Sequence, residues 1–144
     1  MKNKFVDFYM KVAYDVSQLS TCNKKKVGAV IVDESGKNII SFGYNGTPSG
    51  EDNCCEELRD NEYVTKPNVI HAEANAITKL SQSNQSSKNG YLFITLSPCS
   101  NCAGLIIQSG IRHVFYENEY KCDFGIKMLR DSGINIKQYN LGKK

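Results

Sequence analysis

The stretch Tyr91-Leu92-Phe93-Ile94-Thr95-Leu96-Ser97-Pro98-Cys99-Ser100-Asn101-Cys102 decides how the rest of the chain is read. Residues 91–96 have the apolar, β-branched and aromatic composition of a strand. Residues 99–109 read as a helix, so the two cysteines sit where a helix begins. Working outward toward the C-terminus, residues 112–116 read as a strand, 124–132 as a helix and 134–139 as a last strand. This alternation implies crossover connections, a largely parallel half of a sheet, and helices over both faces.

Toward the N-terminus, residues 71–81 carry Ala72, Ala74, Ala76, Ile77 and Leu80 and read as a helix. Residues 27–33 and 38–44 read as strands, joined through the turn Glu34-Ser35-Gly36-Lys37 into a hairpin. They add an antiparallel edge to the sheet. Phe5, Phe8, Val12, Val16 and Leu19 fall at helical spacing, which predicts an amphipathic first helix with that stripe inward. The run Asn45-Gly46-Thr47-Pro48-Ser49-Gly50 is a loop by composition, and the loop is expected to continue to about residue 68. Residues 81–90 form a polar linker. There is no internal repeat. The expected architecture is α/β: a three-layer α/β/α sandwich on a five-stranded mixed sheet, one domain over residues 1–144.

Composition narrows the function. The 144 residues carry 18 Lys+Arg against 15 Asp+Glu, a formal charge of +3, which suits an anionic small substrate better than a dedicated nucleic-acid surface. No apolar run approaches the ~20 residues of a membrane span. The start Met1-Lys2-Asn3-Lys4 is not followed by an uninterrupted apolar segment, so no secretion leader is expected and a cytoplasmic setting is. In that setting the six cysteines, at 22, 54, 55, 99, 102 and 122, are expected to bind metal or stay reduced.

Two fragments carry chemistry: His71-Ala72-Glu73 and Pro98-Cys99-Ser100-Asn101-Cys102. Zinc takes nitrogen and sulfur ligands in a tetrahedral shell, and catalytic sites leave one position open. Cys99 and Cys102, three residues apart, project to one side of a first helical turn. The helix N-terminus favours their thiolate forms. His71 supplies a third ligand. Glu73 is then the group that moves protons, because a carboxylate beside an activated water can take its proton and pass it on. Each fragment alone is weak, since Cys-x-x-Cys is also a structural half-site or a redox pair. Together, His-x-Glu followed by Pro-Cys-x-x-Cys is the signature of zinc deaminases. A closed structural site would need a fourth ligand, and Cys122 or His113 are the residues that could offer one.

On these motifs the sequence resembles the cytidine deaminase superfamily, and within it the deoxycytidylate (dCMP) deaminases, closely so the viral and phage members. Four segments carry the resemblance: 22–31, 43–50, 71–77 and 95–103. The loop Gly43-Tyr44-Asn45-Gly46-Thr47-Pro48-Ser49-Gly50 points to the dCMP branch. The resemblance implies one catalytic Zn²⁺ and hydrolysis at C4 of cytosine. Glu73 would protonate N3 and then the leaving amino group, giving dUMP and ammonia for thymidylate synthesis. Ser97 and Ala72 would read the base edge through their backbones, and Asn45 would reach the sugar. Lys24 and Lys121 would hold the phosphate, with Tyr120 beside the sugar-phosphate. Family members often carry arginine near position 24, where lysine offers a point charge without a fork.

The resemblance further implies a homohexamer, activation by dCTP with Mg²⁺ and inhibition by dTTP, with effector contacts at Gly43, Tyr44, Asn45, Gly46 and Gly50. A viral member would work in the host cytoplasm. Some relatives hold a second zinc near positions 22 and 54–55 with ligands from an insertion. No histidine lies between Cys55 and His71, so buried reduced thiols are expected there instead. Rival readings are a nucleoside deaminase, a deaminase of tRNA or single-stranded DNA, and a non-catalytic zinc-stabilised binding module. The absence of Trp and the presence of only three arginines disfavour a stacking groove for nucleic acid. His71 stands where small free cytidine deaminases use a third cysteine.

Overall fold

The strand Gly28–Val32 (β1) is buried along its whole length and lies next to the middle of the sheet. The computed structural model describes residues 1–141. Helix α1 (Asn3–Ser17) precedes β1, and β2 (Ile39–Tyr44), β3 (Glu56–Arg59) and β4 (Glu62–Thr65) follow it. Then come α2 (Ala72–Lys79) with a short 3₁₀ turn at Leu80–Gln82, β5 (Tyr91–Leu96) and α3 (Ser100–Gln108). The chain closes through β6 (His113–Asn118), α4 (Phe124–Asp131) and β7 (Asn135–Gln138).

The main sheet has five strands in the order β2-β1-β5-β6-β7. β1 is antiparallel to both β2 and β5, whereas β5, β6 and β7 are mutually parallel. This is the mixed sheet expected from the sequence. Alternation along β1 sends Val30 and Val32 to one face with α1, and Ala29 and Ile31 to the other with α2, α3 and α4. The three layers are therefore one helix, the sheet, and three helices.

Phe93 in β5 anchors the α1 face. It is fully buried, lies parallel to Phe115 with centroids 5.3 Å apart, and is tilted against Tyr9 of α1 at 5.0 Å. Burying an aromatic of this size stabilises the fold by about 1.5–3 kcal/mol, and each favourable ring pair adds about 0.5–1.5 kcal/mol.

Helix α1 corrects the expected stripe. Its buried face is Val6, Tyr9, Met10, Ala13, Val16 and Ser17, while Phe5, Phe8 and Leu19 remain exposed. Two stripes at helical spacing run side by side, and only Val16 belongs to both. Ala13 and Ser17 decide between them, because β1 passes so close that a Cβ at Gly28 would collide with the Ala13 carbonyl oxygen and the Ser17 nitrogen. A phenylalanine face could not come that near.

The long loop expected from 45 to 68 also needs correcting. Within it β3 and β4 pair antiparallel, with Arg59 opposite Glu62 across the turn Asp60-Asn61. Both turn residues have positive φ, 48° and 65°, which Asp and Asn tolerate and which a tight two-residue hairpin requires. This hairpin does not join the main sheet. Among the described residues, no helix is long and apolar enough to cross a membrane.

Candidate active site

The antiparallel start of the sheet and its parallel half deliver several segments to one end. β1 begins there, β2 and β5 finish there, and α2 and α3 both start there. Open α/β sheets place ligands at such ends, outside the carboxyl termini of the parallel strands.

His71 is the N-cap of α2 and Cys99 the N-cap of α3. Both have extended backbones, and neither side chain makes the usual capping hydrogen bond. They turn toward each other instead. His71 Nδ1 lies 3.5 Å from Cys99 Sγ and 3.3 Å from Cys102 Sγ. The three ligand atoms lie within 4.8 Å of one another. Gly125 lets α4 lie against this corner, since a Cβ there would meet backbone atoms of Pro98 and Cys99.

Glu73 is the second residue of α2 and is 4% exposed. Burial pushes its carboxyl up from the ordinary 4.5 to about 7, opposed by hydrogen bonds from its own backbone and from the Cys102 thiol. Burial likewise pushes the Cys102 thiol up, reinforced by the charges of Glu73 and Cys99. A divalent cation among these groups reverses that balance by favouring the thiolates.

A cavity of about 480 Å³ opens over this cluster. All six residues expected to touch substrate border it: Lys24, Asn45, Ala72, Ser97, Tyr120 and Lys121. Ser97 is buried at the end of β5, where its Oγ accepts the Tyr120 N–H at 2.6 Å and fixes that tyrosine at the rim. The Asn45 side chain is engaged in the protein itself. Its Oδ1 accepts the Val27 N–H and its Nδ2 donates to the Lys25 carbonyl, both at 2.8 Å.

Two further charged residues border the cavity. Lys25 reaches over the Tyr120 ring, 5.7 Å from its centroid, and Glu56 lines the wall. Nothing in the Lys24-Lys25-Lys26 run distinguishes one lysine from the next. Glu56 would have emerged had the Asp60-Asn61 turn been recognised as a hairpin.

Of the residues expected to contact effectors, Gly43 lies within β2 under α2, and Tyr44 gives its carbonyl to Asn75 Nδ2. Gly46 bridges to Ile70, and Gly50 turns the loop at φ 91°. The residues considered for a closed metal site lie elsewhere. His113 stacks on Tyr91 at the opposite end of β5 and β6, and Cys122 is exposed outside the donor group.

A family model described as "Cytidine and deoxycytidylate deaminase zinc-binding region" matches residues 3–118. The chain belongs to this deaminase family. It is 34% identical to the deoxycytidylate deaminase of Enterobacteria phage T4, over 94% of this chain and 89% of that one. It is 32% identical to the Saccharomyces cerevisiae deoxycytidylate deaminase over 97% of its own length, while spanning 46% of the yeast protein. The crystal structure of dCMP deaminase from the cyanophage S-TIM5, in complex with dCMP and dUMP, superposes with a TM-score of 0.89 at 42% identity. That match covers 96% of this chain and 99% of the cyanophage chain.

The residues present fit the zinc that a deaminase of this family implies. One imidazole and two sulfurs converge, and the carboxylate of Glu73 is not part of the converging donor set. An open position for water is therefore available to a tetrahedral ion.

Cys22 and Cys55 depart from the expectation of reduced thiols. Both are buried, as expected, but they are joined in a disulfide with Cα atoms 5.1 Å apart. The segment before β1 folds back onto the start of β3, which the long-loop reading did not foresee. Glu56 lies beside the two sulfurs.

Proposed function

We propose that this chain hydrolyses dCMP to dUMP and ammonia. The observation that carries the reading is the pairing of Glu73, buried and outside the donor set, with the converging donors His71, Cys99 and Cys102, beside a cavity that His71, Glu73 and Cys99 line. The cyanophage and T4 relatives support the choice of dCMP.

His71, Cys99 and Cys102 hold the ion. When bound, zinc supplies an acidified water for attack on the ring. Glu73 takes a proton from the water and delivers it to N3 of cytosine. The oxygen bonds to C4, Glu73 takes that oxygen's remaining proton and gives it to the amino nitrogen, and the C4–amino bond breaks as ammonia leaves and the C4 carbonyl forms. A carboxyl poised near 7 suits a group that must accept and donate in one cycle. The Ala72 amide and the Ser97 carbonyl are assigned to the base edge. Asn45 Nδ2 keeps one hydrogen for a sugar oxygen. Lys24 and Lys121 take the phosphate, and Tyr120 packs against the sugar-phosphate.

The family resemblance also supports a homohexamer, dCTP with Mg²⁺ as activator and dTTP as inhibitor acting through the 43–50 loop, and work in the cytoplasm, the host's if the protein is viral. The test is a substrate panel of dCMP, dCTP, deoxycytidine, CMP and a short single-stranded oligonucleotide, read by the ultraviolet change from cytosine to uracil. Preference for dCMP is expected, and preference for deoxycytidine overturns the phosphate assignments. Repeating the panel with dCTP or dTTP, alongside sedimentation, tests regulation and assembly.

A further inference from the structure

Residues 20–27 bring Lys24 and Lys25 to the cavity mouth without any regular structure of their own until β1 begins. The segment is fastened from outside on two sides. Asn45 holds the backbone of Lys25 and Val27 from the β2 side. On the other side Glu56, only 8% exposed, accepts the Asn23 N–H at 3.2 Å on each carboxylate oxygen and the Lys24 N–H at 3.3 Å. One residue earlier, Cys55 is bonded to Cys22. Three successive residues, 22–24, are thereby clamped onto two successive residues, 55 and 56.

A carboxylate in the wall of an anion site would ordinarily repel the ligand. Here both Glu56 oxygens face backbone N–H donors, which disperse the charge into the loop. The β3–β4 hairpin that carries Glu56 is a two-stranded unit apart from the main sheet, and such a unit is marginal alone. The clamp therefore orders both partners at once.

We propose that Glu56 is a positioning residue for phosphate recognition: it fixes the backbone of Asn23 and Lys24 so that the Lys24 ammonium is presented at the cavity mouth, with the Cys22–Cys55 disulfide as the second fastening. The proposal rests on the dCMP reading above. Its ligand is the 5′-phosphate, and Glu56 does not touch the reacting ring.

The experiment compares Glu56→Ala and Glu56→Gln with the parent enzyme, measuring kcat and KM for dCMP and kcat/KM for deoxycytidine, which lacks the phosphate. Zinc content and thermal unfolding are followed in parallel. Loss of these buried acceptors in Glu56→Ala is expected to raise KM for dCMP about tenfold with kcat little changed. Glu56→Gln, which keeps the shape and one carbonyl oxygen, should recover part of the loss. Deoxycytidine turnover should be unaffected. Equal losses on both substrates, an unchanged KM for dCMP, or loss of zinc or fold in both variants would make Glu56 merely structural and overturn the proposal. A parent enzyme that does not prefer dCMP to deoxycytidine overturns the substrate reading first, and the positioning role with it.

Discussion

Cys102, a member of the converging donor set, lies near enough to the buried Glu73 carboxyl for each to shift the other's titration. The two arrive from different helices, Glu73 from α2 and Cys102 from α3. The pair sets a candidate metal ligand beside the residue proposed to move protons.

Replacing Glu73 with Gln should remove catalysis and spare the metal. Glu73 is not among the three converging donors, so zinc content should match the parent. Turnover should fall by about 10²–10⁴-fold or more, the range for a general acid–base group. Ultraviolet assay and metal analysis of one preparation check both halves. Full activity in Glu73→Gln would falsify the proposed mechanism.

Metal capture should weaken in acid. Without a cation the Cys102 thiol is held above its usual range by burial, then by Glu73 and Cys99. Binding must therefore expel protons. Dialysis against a chelator should strip zinc faster at about pH 6 than at about pH 8, with activity returning on added zinc. Cys102→Ser should not retain the ion at either pH.

The stability of the metal-free protein should fall as pH rises from 4.5 to 7. Glu73 has its folded value raised from 4.5 to about 7 by burial. A carboxyl raised on folding favours the fold fully below its unfolded value, and that advantage is lost as pH climbs to the folded value. The total is about 3 kcal/mol. Glu73→Gln lacks this term, so it should be the more stable metal-free protein at about pH 8 and differ little at about pH 4.5. Urea unfolding at the two pH values measures the difference.

Gly43 and Gly46 should respond oppositely to alanine. A Cβ at Gly43 would come within 2.5 Å of the Ala72 carbonyl oxygen and 2.6 Å of the Ala76 nitrogen, both backbone atoms of α2. Nothing there can swing aside, so Gly43→Ala should cost about 1–3 kcal/mol and weaken zinc retention by displacing the helix that starts at His71. Space around Gly46 is open, and Gly46→Ala should stay within about 0.5 kcal/mol. A change in dCTP or dTTP response in Gly46→Ala, at unchanged stability, would assign the effector role to that loop.

What could be read before the fold was known follows from range. The order of the five main strands and four helices rests on local composition, and the sheet was legible from the alternation after residue 90. His71, Glu73, Cys99 and Cys102 were legible because metal chemistry demands few residue types at fixed spacing. The inward face of α1 was not, because Phe5 and Phe8 compete with Tyr9 and Met10 on hydrophobicity alone. The close approach of Gly28 settles that face, and it is a contact between distant segments. The Cys22–Cys55 bond and the grip of Glu56 were hidden for the same reason. Both depend on a hairpin whose exposed Leu58 and Tyr63 blur its strand pattern.

The bare N-caps of α2 and α3 carry one more consequence. His71 and Cys99 stand where Ser, Thr, Asp or Asn would normally satisfy the first amides of a helix, and neither does so. An ion held between them would be the common fastening of two helix starts. On losing it, those first turns should fray before the sheet does, and their amide protons should exchange with solvent first. Zinc supply would then govern how well ordered this end of the molecule is, as well as whether it can react.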